Sequence, residues 1–124
     1  MPRFWLIAGA LNMLLALIVA AAAGHRLDGE FVPIIRDIFG TAREMHFVHA
    51  LALIAVGLAS ARFGPSRLLN FAGYAFLAGI LFFCGGLYLG HGPLPAVRPM
   101  IPFGGASFML GWILFAAAML NPRR

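Results

Sequence analysis

Four long apolar runs without Asp, Glu, Lys or Arg constrain the fold of this chain more than any other feature of its sequence. An α-helix of roughly 20 apolar residues crosses a hydrocarbon core of about 30 Å. We therefore predict four transmembrane helices over the runs Phe4–Ala23, Phe47–Ala61, Leu68–Leu89 and Ile101–Leu120. The second run is the shortest, but His46 and Arg62 at its ends can extend it by reaching toward the headgroups. The predicted fold class is all-α, an integral membrane bundle of four transmembrane helices that forms one domain over residues 1–124.

The composition also indicates a lipid environment. Of the 124 residues, 62% are hydrophobic and 10% are charged, whereas about a quarter of the residues of a soluble domain are charged. The nine basic side chains are all arginines and form no continuous tract, so the formal net charge of +5 suits anionic headgroups and gives no basis for nucleic-acid binding. The single cysteine, Cys84, excludes an intrachain disulfide and a multi-cysteine metal site.

The first apolar run has a competing interpretation as a secretory signal, because Arg3 precedes it and three alanines, Ala21 to Ala23, end it. Its apolar core is longer than the usual signal core of roughly 7–15 residues. We therefore interpret the run as an uncleaved transmembrane helix.

The connections between the runs differ in character. Gly64-Pro65 with Ser66 as a candidate N-cap predicts an antiparallel hairpin between the second and third helices. Three prolines between His91 and Met100 exclude a continuous α-helix there. Between the first two helices, apolar residues recur at three- and four-residue spacing from Phe31 to Met45 among charged residues. This pattern predicts a short amphipathic helix that lies on the membrane surface or covers the end of the bundle, with Gly40 and Thr41 as candidate helix breakers.

The distribution of arginines bears on orientation. Arg3, Arg62, Arg67, Arg123 and Arg124 lie on the side of the two termini, close to the membrane boundaries. The other side carries four arginines together with all four acidic residues. The positive-inside rule then predicts a multi-pass membrane protein with both termini in the cytoplasm.

The four histidines map to the opposite side, at one level of the membrane. His46 and His49 are spaced to share one helix face, and Glu44 is close to them in sequence. Imidazole with carboxylate suits a transition metal, and histidines from different helices can ligate haem. His25, His46, His49 and Glu44 are therefore candidate metal ligands, against the alternatives of helix caps, headgroup contacts or proton transfer.

Small residues one helical turn apart predict close helix packing, because lipid supplies no hydrophobic force between helices. Asn12, near mid-membrane, is expected to form an interhelical hydrogen bond, with a role in a solute path as the alternative. Trp5, Tyr88 and Trp112 suit interfacial anchoring or packing. The predicted helix-packing residues are Asn12, Ala75, Gly79, Gly86, Gly90, Gly104, Gly105 and Gly111.

Three motifs lie in the second, third and fourth predicted helices. They are His49-Ala50-Leu51-Ala52-Leu53, Phe83-Cys84-Gly85-Gly86-Leu87-Tyr88, and Pro102-Phe103-Gly104-Gly105 followed by Phe108 and Gly111-Trp112. In their order and spacing they resemble the YgdD/YwdK-like family, the domain of unknown function 423, which is related to eukaryotic transmembrane protein 256. The resemblance covers most of the chain from Ala22 onward.

The chain departs from that family's pattern where the family favours hydroxyl side chains. Cys84 and Gly86 stand near positions where Ser is favoured, and Ile101 stands where Thr precedes the proline. A polar site built on those hydroxyls would be lacking here. The resemblance implies a small four-helix inner-membrane protein without an established activity.

No catalytic constellation accompanies these features, so we expect a protein that is not an enzyme and holds no cofactor. The leading hypothesis is a structural or accessory subunit that packs through small-residue faces, with itself or within a larger membrane complex. The alternative is a metal- or haem-binding redox protein built on the histidines. A small-molecule carrier is the weakest hypothesis, because four short helices enclose little volume and no charged group lies in their interior.

Overall fold

Four helices long and apolar enough to cross a membrane account for most of the chain. The computed structural model describes residues 2–27, 33–64, 66–90 and 93–120. Within these ranges the structure has no strand, and the predicted fold class is confirmed. The elements are helix 1 (Pro2–Leu27), helix 2 (Pro33–Phe63), helix 3 (Arg67–Gly90) and helix 4 (Ile101–Leu120), with a 3-10 helix over Pro95–Met100 leading into helix 4.

Helix 2 is much longer than the predicted second span. The amphipathic segment is helical, as expected, but from Pro33 it continues into the span without a break at Gly40 or Thr41. A proline in the first turn leaves the helix intact because the N–H it lacks has no intrahelical partner there. Ala42 is fully buried while Thr41 and Arg43 are exposed, so the amphipathic pattern belongs to the outer half of a long packed helix. The predicted amphipathic segment is therefore present, but it is the first part of helix 2 and not a separate short helix.

The hairpin between helices 2 and 3 has the predicted turn chemistry. Gly64 adopts a positive φ of 92°, which glycine reaches without steric cost. Ser66 is the N-cap of helix 3, and the Leu69 N–H donates to its Oγ over 3.3 Å. We call this end of the bundle the turn end.

Helix 3 changes its winding in the middle, which the sequence did not predict. Its α-helical part Arg67–Gly79 is followed by a π-helical segment, Ile80–Cys84, and then by α-helix over Gly85–Gly90. A π-helical turn holds one residue more than an α-helical turn, so it rotates everything that follows by about 100°. The segment therefore decides which side chains of the second half of helix 3 face the other helices.

The four helices pack as two close pairs, helix 1 on helix 2 and helix 3 on helix 4, joined by contacts between helices 2 and 3. Trp5, Leu53 and Phe76 are among the fully buried side chains of the core. Many large apolar side chains point outward, among them Phe103, which is 72% exposed. An apolar exterior of this kind is expected where lipid is the surrounding solvent.

Most of the predicted packing glycines lie where another helix leaves no room for a side chain. A Cβ at Gly79 would overlap the Phe108 ring, and a Cβ at Gly104 would overlap the backbone of Phe83. Three more of the predicted glycines lie against neighbouring segments. A Cβ would overlap Ile101 if placed at Gly86, Arg98 if placed at Gly90, and Phe76 if placed at Gly111. Ala75 accepts a hydrogen bond at its carbonyl from Ser107 Oγ over 2.6 Å.

Gly105 differs from its neighbour. A Cβ there would be in ordinary contact with the Phe83 ring, at 3.7 Å. Nothing in the structure requires glycine at this position. Three close approaches that we did not predict are those of Gly9 to Ile54, Gly57 to Leu6 and Gly73 to the Trp5 ring.

Candidate functional site between helices 1, 2 and 3

A chain of side-chain hydrogen bonds crosses three helices at His46, which is 2% exposed. Asn12 Nδ2 donates to the Ala8 carbonyl over 2.8 Å, which leaves Asn12 Oδ1 as an acceptor facing His46 Nε2 at 3.2 Å. His46 Nε2 must then carry the hydrogen and donate it. In a neutral ring Nδ1 accepts, so the Tyr88 hydroxyl donates to His46 Nδ1 over 3.4 Å. The expected interhelical hydrogen bond of Asn12 is thus made to helix 2.

His49 joins helix 2 to helix 4 and points away from His46. Trp112 Nε1 can only donate, so His49 Nε2 accepts its hydrogen bond over 3.1 Å. His49 Nδ1 then carries the hydrogen and donates to the Met45 carbonyl over 2.7 Å. The imidazole also stacks on the Phe108 ring with 3.6 Å between the ring centroids. Both ring nitrogens are therefore satisfied in the neutral tautomer.

The candidate metal ligands are not brought together in the part of the chain that the structure describes. His46 and His49 bond to different helices, and Glu44 is exposed. No group of three or more His, Cys, Asp or Glu side chains suited to a metal ion occurs among the described residues. The side chain of His25 and all of His91 lie outside the described residues. The metal or haem hypothesis stays a prediction, and it would require His46 or His49 to give up a hydrogen bond.

A groove lies between helices 1 and 3, with His46 of helix 2 as part of its floor. Its volume is about 400 Å³. Its polar lining comes from Asn12, His46 and Tyr88. The remaining lining is apolar or small: Leu15, Val19, Leu77, Ile80, Leu81, Cys84 and Gly85. Leu15 and Leu81 at its rim are exposed, so the groove opens sideways toward the surrounding lipid.

Tyr88, Trp112 and Trp5 were predicted only as anchoring or packing residues, and their hydrogen bonds were not predicted from the sequence. Besides the bonds at the two histidines, Trp5 Nε1 donates to Asn70 Oδ1 over 3.0 Å and links helix 1 to helix 3. A signal was present in the sequence, because a phenol or indole inside an apolar helix needs a partner for its polar hydrogen. What the sequence did not contain was which partner on which helix.

Comparison with known proteins supplies the family context. Residues 19–105 match the family model described as "Protein of unknown function (DUF423)". The UPF0382 membrane protein SAB0533 of Staphylococcus aureus is 32% identical over 117 residues, covering 94% of each chain. The UPF0382 membrane protein YwdK of Bacillus subtilis is 30% identical over 120 residues, covering 96% of this chain and 98% of YwdK. No solved structure matches the chain significantly.

Proposed function

This chain belongs to the DUF423 family of proteins of unknown function, and from that premise we propose that it is a non-enzymatic structural or accessory protein of the membrane. The observation that carries the proposal is the use of its interior polar side chains. Most of them bond helix to helix, although buried Ser60 Oγ has no partner among the described residues. No buried carboxyl or imidazole group among those residues is left free for proton transfer with a substrate. Such bonds, each worth about 1 kcal/mol in a membrane, favour a fixed arrangement of helices over a reaction centre.

The hydrogen bonds connect all four helices in a closed circuit. Helix 1 bonds to helices 2 and 3 through Asn12 and Trp5, and helix 4 bonds to helices 2 and 3 through Trp112 and Ser107. Glycines let the same helices approach so closely that the backbone of one helix contacts side chains of another. A small rigid body with an apolar exterior is suited to packing against a second copy or a larger membrane complex.

The predicted inner-membrane location and cytoplasmic termini form part of this proposal. Arg62 and Arg67 flank the turn end, where helix 1 also begins. Basic residues at membrane boundaries favour the cytoplasmic side. The exposed part of helix 2 near Asp37 would then face the opposite compartment.

Orientation can be tested with single cysteines in a Cys84→Ala background. Asp37 and Arg67 are both exposed and lie at opposite ends of the bundle, so Asp37→Cys and Arg67→Cys form a matched pair. A membrane-impermeant thiol reagent applied to intact cells should label the cysteine at 37, and the cysteine at 67 only after lysis. Labelling at 67 with protection at 37 in intact cells would reverse the orientation.

The accessory role can be tested by purification from the native membrane in mild detergent, with mass spectrometry of co-purifying proteins and size analysis. We expect a stoichiometric partner or a defined oligomer. Gly104→Leu should lose that association, because it forces helices 3 and 4 apart, whereas Gly105→Leu should retain it. A monomer without a stoichiometric partner would contradict the proposal. Metal content and visible absorption of the same sample test the metal or haem alternative.

A further inference from the structure

The groove between helices 1 and 3 carries an inference that is independent of the accessory role. We propose that it binds an uncharged, membrane-soluble carbonyl compound of the quinone class. Its apolar body would lie between Leu15 and Leu81, and a carbonyl oxygen would accept a hydrogen bond from Asn12 on the groove wall. The volume of about 400 Å³ falls within the range of small-molecule sites, about 300–1,000 Å³.

The depth of the polar groups selects the kind of ligand. Asn12, which carries the available donor, is at the middle of the span Pro2–Ala22, whereas His46 and Tyr88 lie nearer the ends of the spans of helices 2 and 3. The ester and headgroup oxygens of phospholipids lie at the boundaries of a hydrocarbon core about 30 Å thick. The Asn12 amide therefore meets a molecule that dissolves in the hydrocarbon and carries its polar atom there.

The lining also sets the charge of the ligand. Among the residues that the structure describes, no Asp, Glu, Lys or Arg lines the groove. An ionised carboxylate or amine in this position would contact no opposite charge among the described lining residues, and burying it unpaired is costly. The free-energy cost of burying a neutral carbonyl is much smaller when the carbonyl accepts one hydrogen bond.

The hydrogen bonds already present leave a donor for such a carbonyl. Asn12 has two amide hydrogens, and one goes to the Ala8 carbonyl. The second has no partner among the described residues, and Asn12 lines the groove. The Nε2 hydrogen of His46 is donated to Asn12 Oδ1, and the Tyr88 hydroxyl hydrogen is donated to His46 Nδ1. The bond from His46 holds the Asn12 amide in a fixed orientation. The ligand therefore needs a hydrogen-bond acceptor, and a carbonyl oxygen is such an acceptor.

The π-helical segment of helix 3 is a second observation that supports a binding site in this groove. Ile80, Leu81 and Cys84 of the π-helical segment line the groove, and Gly85 follows them. Such segments occur often at functional sites. A Cβ at Gly85 would meet nothing nearer than the Ile80 carbonyl oxygen, at 4.0 Å, so this glycine leaves space that the helix packing does not fill.

The test measures ligand-induced thermal stabilisation of the full chain in detergent with two probes. Decylubiquinone carries ring carbonyls on an apolar chain, and decylbenzene has the same chain without them. A ligand that binds only the folded state raises the Tm in a saturable manner. We expect decylubiquinone to raise the Tm and decylbenzene to leave it unchanged.

Two substitutions and one control locate the site. Gly85→Leu fills the groove where space is available and should abolish the shift, while the control Gly105→Leu, on helix 4 where a Cβ would also meet no close contact, should preserve it. Asn12→Leu should raise the half-saturating decylubiquinone concentration about fivefold, the equivalent of one lost hydrogen bond. Circular dichroism shows whether each variant is folded before the probe is added.

Two results would overturn the proposal. Equal stabilisation by the two probes would mean that the groove takes any apolar chain, including a lipid acyl chain. An undiminished shift in a folded Gly85→Leu protein would place the binding of decylubiquinone elsewhere. Neither result bears on the accessory role, which is tested by co-purification.

Discussion

Two neighbouring glycines in helix 4 allow the cost of a single methyl group to be measured against an internal control. In Gly104→Ala the new Cβ would overlap the backbone nitrogen of Phe83 and lie 2.7 Å from its Cα. In Gly105→Ala the nearest atom, in the Phe83 ring, is 3.7 Å away. The two substitutions share the same helix, the same change in helix propensity and the same added volume, so they differ only in what the methyl group meets.

The expected magnitudes follow from that difference. Replacing glycine by alanine within a helix stabilises it by about 1 kcal/mol. Overpacking a close contact costs about 1–3 kcal/mol, and the upper value applies at 104 because the backbone of helix 3 cannot move aside as a side-chain rotamer can. Gly104→Ala should therefore lower the free energy of unfolding by about 2 kcal/mol. Gly105→Ala should leave it unchanged or raise it by up to about 1 kcal/mol.

Reversible unfolding by sodium dodecyl sulfate in mixed micelles, followed by tryptophan fluorescence, would measure both free energies. Circular dichroism of the folded variants serves as the control for helix content. Equal free energies of unfolding for the two variants would refute the reasoning, because they would show that helices 3 and 4 are not in backbone contact at Gly104.

Three further predictions use the same unfolding assay. Gly86→Leu should destabilise the bundle more than Phe82→Leu, because a branched side chain at Gly86 collides with the start of helix 4, and equal effects would remove that contact. Trp112→Phe should cost about 1 kcal/mol through the lost hydrogen bond to His49, and in a His49→Ala background the same change should cost measurably less. Ser66→Ala should cost about 1 kcal/mol by removing the N-cap of helix 3, and an unchanged stability would mean that the cap bond is not formed in the membrane environment.

The number and position of the spanning helices could be predicted from the sequence because they depend on local properties. A run of apolar residues long enough to cross the hydrocarbon must become a helix, since every backbone polar group in lipid has to be satisfied within its own segment. The turn at Gly64 and the cap at Ser66 are local in the same sense. The length of helix 2 was missed because Gly40 and Thr41 only weaken a helix, and the buried contact of Ala42 sustains it.

The candidate site depended on information that is not local. His46 meets Asn12, 34 residues away, and Tyr88, 42 residues away. The sequence identified His46 as a residue with possible chemistry and Asn12 as a hydrogen-bonding residue, but it did not pair them. Pairing depends on the rotation and tilt of each helix, and the π-helical segment of helix 3 changes that rotation just before Tyr88.

The sequence by itself thus determined that this protein is a membrane protein of four helices, because hydropathy and helix length act within each segment. Only the tertiary structure decided that His46 and His49 face different helices and that a groove with a polar floor remains between helices 1 and 3. The physical reason is that lipid is as apolar as the helix surfaces, so helix orientation is fixed by close packing and by the few available hydrogen bonds. Those contacts form between residues far apart in the chain, where periodicity and composition carry no information.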